Sequence, residues 1–175
     1  CWAVECAGCV NAGGVDDVCS VGAGADVSNA GRGGERMYCG AGGGVISAGP
    51  CDDGIIAGSG ADEIYTRAPD DAIPVGAGDD VINAGRGDDR IDAGSGDDRI
   101  NAGAGNSEIK AGAMNDVIDG GQGEDRINAG AGDGGINAGE GDDRINAGSG
   151  DDRINAGAGD EVITAGAGDD GINTG

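Results

Sequence analysis

In 175 residues the chain holds 42 Gly, 33 acidic and 10 basic side chains, for a formal charge of −23, and it has no Leu, Phe or His. The 16 Ile and 11 Val make up about 15% of the chain, a level at which a charged sequence reads as disordered. Without His there is no H-E-x-x-H zinc protease, Ser-His-Asp triad or Cys-His pair, and so acidic a chain has no basic footprint for nucleic acid. No apolar stretch approaches the roughly 20 residues of a spanning helix, so no membrane insertion is expected. The natural counter-charge is a cation.

The chain starts at Cys1 with neither a basic n-region nor an apolar h-region. A secretion signal was therefore removed, lies at the other end, or lies outside this segment. From there a nine-residue register overrides the composition. Gly recurs every nine residues from Gly13 to Gly58 and from Gly76 to Gly175, broken only by Arg67, and the phase extends back to Val4. We number the unit so that Ala84–Asp92, A-G-R-G-D-D-R-I-D, runs from position 1 to position 9. Ile then occupies position 8 in fifteen consecutive units, Ile46 through Ile172, and only Ile56 is off phase. A flexible Gly-rich linker has no reason to hold bulky residues in phase.

Residues 1–74 keep the register while the consensus decays, and form a degenerate, Cys-containing part of the same solenoid. All six Cys (1, 6, 9, 19, 39 and 51) lie there with Trp2. Cys1 and Cys19 share position 8 and are 18 apart, so they stack either as a disulfide or as an inert buried pair. Cys6-x-x-Cys9 has no second pair at matching spacing, which argues against a metal cluster. The segment reads either as a divergent cap or as a stretch the regular repeats do not explain. Arg67 and Pro69 disrupt one whole turn.

Residues 75–175 are regular. Positions 7 to 9 place a β-branched residue between polar ones, as in Arg90-Ile91-Asp92, which predicts a three-residue strand with one inward side chain. Positions 1 to 6 hold small residues and acids, a turn composition with Gly at positive φ. Short strand and turn, repeated, predict an all-β parallel β-roll or β-solenoid. With two nine-residue units per coil, residues 18 apart stack at about 4.8 Å, in about ten coils. Ile91, Ile109, Ile127, Ile145 and Ile163 line one inner face, and Ile82, Ile100, Ile118, Ile136 and Ile154 the other, with Ala at position 1 filling the edges. One large apolar residue in nine does not offset ordering of the rest at roughly 1–2 kcal/mol each. Something else must hold the turns.

Position 6 supplies it: Asp17, Asp26, Glu35, Asp53, Asp62, Asp71, Asp80, Asp89, Asp98, Asp116, Asp125, Asp143, Asp152, Glu161 and Asp170. Stacked 18 apart these carboxylates repel, and a divalent ion between each pair reverses the sign. Ca²⁺ is hard and accepts mixed carboxylate and carbonyl oxygens. Ten stacked pairs are acidic on both rungs (17/35, 35/53, 53/71, 71/89, 125/143, 143/161; 62/80, 80/98, 98/116, 152/170), so about ten Ca²⁺ bring +20 against −23. Such near-neutrality suits a chain folded by its metal.

At these residues the sequence resembles the RTX (repeats-in-toxin) calcium-binding family, whose unit is G-G-x-G-x-D-x-U-x. Position 1 departs from the pattern, being mostly Ala. The resemblance implies Ca²⁺ between successive coils, held by position 6 carboxylates from Asp53 to Asp170 and by turn carbonyls such as those of Gly78, Gly87, Gly96, Gly123, Gly141, Gly150, Gly159 and Gly168. Gly44, Ser107 and Gly134 replace the acid and Met114 replaces a position 4 Gly, so ions beside these units are expected to be weak or missing. The acids at position 5 (Asp79, Asp88, Asp97, Asp142, Asp151, Asp169) read as solvent-facing solubility groups, with direct ligation as the alternative. Asn at position 9 (Asn83, Asn101, Asn128, Asn137, Asn146, Asn155, Asn173) reads as an amide ladder or turn entry, or as a flat array for ice or a polymer. Arg at position 7 (Arg90, Arg99, Arg126, Arg144, Arg153) is expected to balance acids on adjacent strands, with recognition of a ligand as the alternative.

The functional expectation is a secreted, extracellular, calcium-folded structural rod and not an enzyme, with Ca²⁺ as its partner. Disulfides would fit the same oxidising exterior. Two alternatives remain: the repeat module of a larger secreted toxin, protease or adhesin, and an ice-binding solenoid, which the varied position 3 and acidic position 5 disfavour. The chain stops two residues into a unit without a polar cap, which suggests either an excerpt or copies stacking end to end as a fibre.

Overall fold

The computed structural model describes residues 9–11, 13–14, 16–67 and 69–175. Every strand in it but the short Gly58–Ser59 covers positions 7–9, and these strands go alternately to two parallel sheets, one of ten strands and one of nine joined by Gly58–Ser59. Ile91 pairs with Ile73 and Ile109, and Ile82 with Ile64 and Ile100, so each full turn takes 18 residues. The protein is a right-angled stack of such turns in the sense that strands run across the long axis and hydrogen bonds run along it. No helix among the described residues is long and apolar enough to cross a membrane.

The core is the thin one the register predicts. The position 8 isoleucines from Ile46 to Ile154 are buried in two facing rows, and the methyls of Ala84, Ala93, Ala102, Ala111, Ala138 and Ala156 close the spaces between them. This accounts for Ala at position 1: a Cβ there is core material. In the first third Val10, Cys19 and Met37 take the position 8 place, with Cys19 stacked on Met37. Cys1, Trp2 and Cys6 lie outside the described residues, as does the expected pairing of Cys1 with Cys19.

The strands differ from expectation in length. In the regular part most run six residues, from position 7 through position 3, as in Arg90–Ser95 and Arg126–Ala131, so the turn shrinks to positions 4 to 6. The cause is Gly at position 2. Gly94 pairs with Gly112 and Gly112 with Gly130, and a methyl on Gly112 would collide with the Gly94 carbonyl. Bare backbones approach closely enough to carry the ladder round the corner.

Candidate metal centre

Along each edge of the stack, the three-residue turn directs the position 6 side chain inward. Asp53, Asp62, Asp71, Asp80, Asp89, Asp98, Asp116, Asp125, Asp143 and Asp152 are all at most 3% exposed, while Glu161 and Asp170, on the last turns, are half-buried. These corners are interior, although they carry the chain's charge. Each carboxylate reaches one rung back: the Asp62 amide donates to Asp80 Oδ1 at 2.7 Å, the Asp80 amide to Asp98 at 2.8 Å, and the Asp98 amide to Asp116 at 3.0 Å. The other edge repeats the pattern through Asp53 to Asp71, Asp71 to Asp89 and Asp125 to Asp143. Where the acid is missing the amide still donates, from Gly44 to Asp62, Ser107 to Asp125 and Gly134 to Asp152, because the backbone supplies the donor.

One oxygen of each carboxylate is thereby engaged and the second is not. Oδ2 of Asp62, Asp71, Asp80, Asp89, Asp98, Asp116, Asp125, Asp143 and Asp152 is buried without a hydrogen-bond partner, as are Oε1 of Glu161 and both oxygens of Glu35. Asp53 Oδ2 instead accepts from the Gly49 amide at 3.1 Å. A buried anionic oxygen without a partner costs several kcal/mol, and nature rarely leaves one, let alone a row.

The acidities carry the same message. Burial, with the neighbouring rungs' Asp98 and Asp62 adding to it, pushes Asp80 up to about 7. Burial likewise raises Asp89 and Asp125 to about 7, with Asp71 and Asp143 respectively as stacked neighbours. Asp71 and Asp116 rise to about 6, and Asp62, Asp98, Asp143 and Asp152 rise as well, burial leading in each case. A cation between rungs answers both causes at once.

The donor set fits Ca²⁺ in kind. Among the described residues no three Asp, Glu or Cys side chains converge on one point, so an ion must also draw on backbone oxygens. These are at hand. Among the described residues the rung-to-rung bonds of the turns end on carbonyls of positions 1, 2, 3, 6 and 9, as in Gly78 to Ser95 and Arg90 to Asp71, and none ends on position 4 or 5. Gly78, Gly87, Gly96, Gly123, Gly141, Gly150, Gly159 and Gly168 therefore offer position 4 carbonyls beside the position 6 carboxylates, all with φ between 119° and 150°. Mixed carbonyl and carboxylate oxygens are what a hard cation takes.

Two outward rows behave differently from expectation. Position 5 acids are exposed yet structural: Asp70 Oδ1 accepts from the Asp88 amide at 2.9 Å, Asp79 from Asp97 at 3.0 Å, and Asp133 from Asp151 at 2.9 Å. They reach one rung forward, opposite to position 6, and neither the solubility reading nor ligation foresaw this bond. At position 7, Arg90 lies 4.0 Å from Glu108, which Lys110 also approaches at 3.9 Å. No other ion pair is formed among the described residues, so Arg99, Arg126, Arg144 and Arg153 do not play the balancing part expected of them. The position 9 amides do form a ladder, Asn155 to Asn137 at 2.8 Å and Asn173 to Asn155 at 3.0 Å.

No match was found among curated proteins or among solved structures. Residues 75–109, 108–136 and 137–172 match the family described as RTX calcium-binding nonapeptide repeat (4 copies). Together these segments span more than half of the chain. With its nonapeptide register, two-sheet stack and rows of buried carboxylates, the chain belongs to the RTX calcium-binding nonapeptide repeat family, and its repeats form a calcium-binding β-solenoid.

Proposed function

We propose that this chain is an extracellular structural rod whose folding is driven by Ca²⁺ after secretion. The observation that carries the reading is the row of buried, partnerless Oδ2 atoms on nine position 6 aspartates along both edges. Position 6 carboxylates and position 4 carbonyls are the proposed ligands, about ten ions saturating the stacked acidic pairs. When bound, the ion supplies positive charge between carboxylates that burial alone would force to protonate. The chain's residues do the rest: position 6 amides fix the carboxylates in register, the isoleucine rows align the rungs, and glycine lets them close.

Without the ion, charge repulsion and a thin core leave the chain extended, the state suited to export; at extracellular Ca²⁺ it becomes a rod about 50 Å long. RTX-repeat proteins are typically secreted by bacteria, which supports the location. Circular dichroism with and without a chelator tests the proposal: β-signal appearing only with Ca²⁺ is expected, and a chain already β-rich in the chelator contradicts it. Electron microscopy in millimolar Ca²⁺ tests end-to-end stacking, expected as filaments of uniform width; isolated short rods exclude it.

A further inference from the structure

The outer face of the nine-stranded sheet carries cations that the rest of the chain leaves alone. Arg126 and Arg144 are exposed, occupy directly paired positions on adjacent rungs, and form no ion pair. Like charges directly opposite on a sheet destabilise it. They stand along one shallow groove whose other wall is Lys110, Asn128 and Asn146, with Glu108 beside Arg126 in their own row. In a chain with more than three acids per base, Arg144 is paired with no acid and Arg126 is paired only with Glu108, to which it forms no ion pair, so the two mark a place where an anion arrives from outside.

The matching anion is on the same molecule, on a surface that cannot reach this face in its own copy. Asp133, Asp151 and Asp169 are exposed at position 5 on consecutive rungs of one edge. The Asp151 amide holds Asp133 Oδ1 and the Asp169 amide holds Asp151 Oδ1, both at 2.9 Å. One oxygen of Asp133 and one of Asp151 is thus anchored, and the row is a comb of carboxylates with the rung period, about 4.8 Å. Arg126 and Arg144 are a comb of guanidinium groups with that same period. We infer that a second copy of this chain docks its Asp133–Asp151–Asp169 edge on the Arg126–Arg144 face, associating the rods side by side.

Backbone amides pre-order Asp133 and Asp151, which lowers the ordering entropy on the acidic side, and the planar Arg fork suits a carboxylate partner. Net charge is the obstacle: at −23 two copies repel. The inference therefore rests on the calcium reading, since ions at position 6 would cancel most of that charge and leave the position 5 row exposed and anionic.

Sedimentation velocity of the full chain tests it, with circular dichroism on the same samples. In millimolar Ca²⁺ and low salt the protein should dimerise, and half-molar NaCl should dissociate it without loss of β-signal, as expected for exposed charge pairs. Arg126→Glu with Arg144→Glu should weaken dimerisation at least about tenfold while staying folded. Asp151→Asn with Asp169→Asn should do the same, because Asn keeps the acceptor for the rung amide, as Asn106 and Asn115 already do for Glu124 and Asp133. A calcium-folded wild type that stays monomeric, or dimers indifferent to both double variants, overturns the inference and leaves the calcium reading intact. A monomer retained on an anionic polysaccharide through Arg126 and Arg144 also overturns it. Failure to gain β-signal with Ca²⁺ sinks the calcium reading itself, and the inference with it.

Discussion

Asp98 Oδ1 accepts the Asp80 backbone amide at 2.8 Å, while Asp98 Oδ2, in the same side chain, is buried with no partner. One oxygen ties the carboxylate to the rung before it, and the other is left for a cation. The two oxygens are separable by mutation. Asp98→Asn keeps an oxygen for the Asp80 amide and removes the charge, so metal-free protein should be no less stable. Calcium-loaded protein should lose about 2.7 kcal/mol of metal-linked stability for each site disabled, at free Ca²⁺ a hundred times Kd. Calorimetric titration should show fewer ions bound, the stacked pairs 80/98 and 98/116 being affected and 125/143 spared.

Acid should partly replace calcium. Asp80, Asp89 and Asp125 have their pKa raised from 3.8 to about 7 in the folded chain, chiefly by burial. The folded form then holds protons that the unfolded form has released, so stability falls as pH rises. The favourable contribution is complete below about pH 4 and lost on rising through about pH 7. Metal-free protein should therefore show more β-structure by circular dichroism near the acid end of that window than at neutral pH, and Ca²⁺ should abolish the difference. Metal-free spectra unchanged across the window would contradict this.

The isoleucine rows should be costly to interrupt despite their thinness. Ile109 is completely buried between Ile91 and Ile127, and Ile109→Ala should cost about 2–5 kcal/mol in calcium-loaded protein. Ile172 shares the position in the repeat but is 49% exposed on the last turn, so Ile172→Ala should cost well under half as much. Denaturant unfolding in constant Ca²⁺ compares the two.

Turn geometry gives a prediction of opposite sign. Met114 holds φ at 88° where its neighbours have Gly, a conformation costing a side chain about 1–3 kcal/mol. Met114→Gly should raise the calcium-loaded melting temperature. Gly96→Ala should lower it, since φ is 137° there and an added methyl would meet the Gly78 carbonyl. Thermal melts of the two variants should move in opposite directions.

Much of the site was legible before any coordinates. Fifteen isoleucines in phase name both core rows, and Asp62, Asp80 and Asp98 at intervals of 18 name one edge of the stack. Burial of those carboxylates was not legible, because an acid flanked by Gly and a polar residue looks solvent-facing until the short turn aims it inward. Position 5 faces solvent as read, but its backbone bond was not legible for a related reason: Asp79 and Asp80 are neighbours with the same side chain, yet one reaches forward to the Asp97 amide and the other is held by the Asp62 amide behind. Arg90 and Arg126 likewise occupy one position in the repeat and both flank Glu108, yet only Arg90 lies within ion-pair distance of it.

The sequence by itself determined which residues stack on which, because a nine-residue period with one inward isoleucine allows a single pairing in which the in-phase isoleucines from Ile46 to Ile154 are covered. Tertiary structure alone decided where the polar atoms point. Periodicity assigns a residue to a rung but says nothing of direction along the stack, and that direction separates an engaged carboxylate oxygen from one open to a cation.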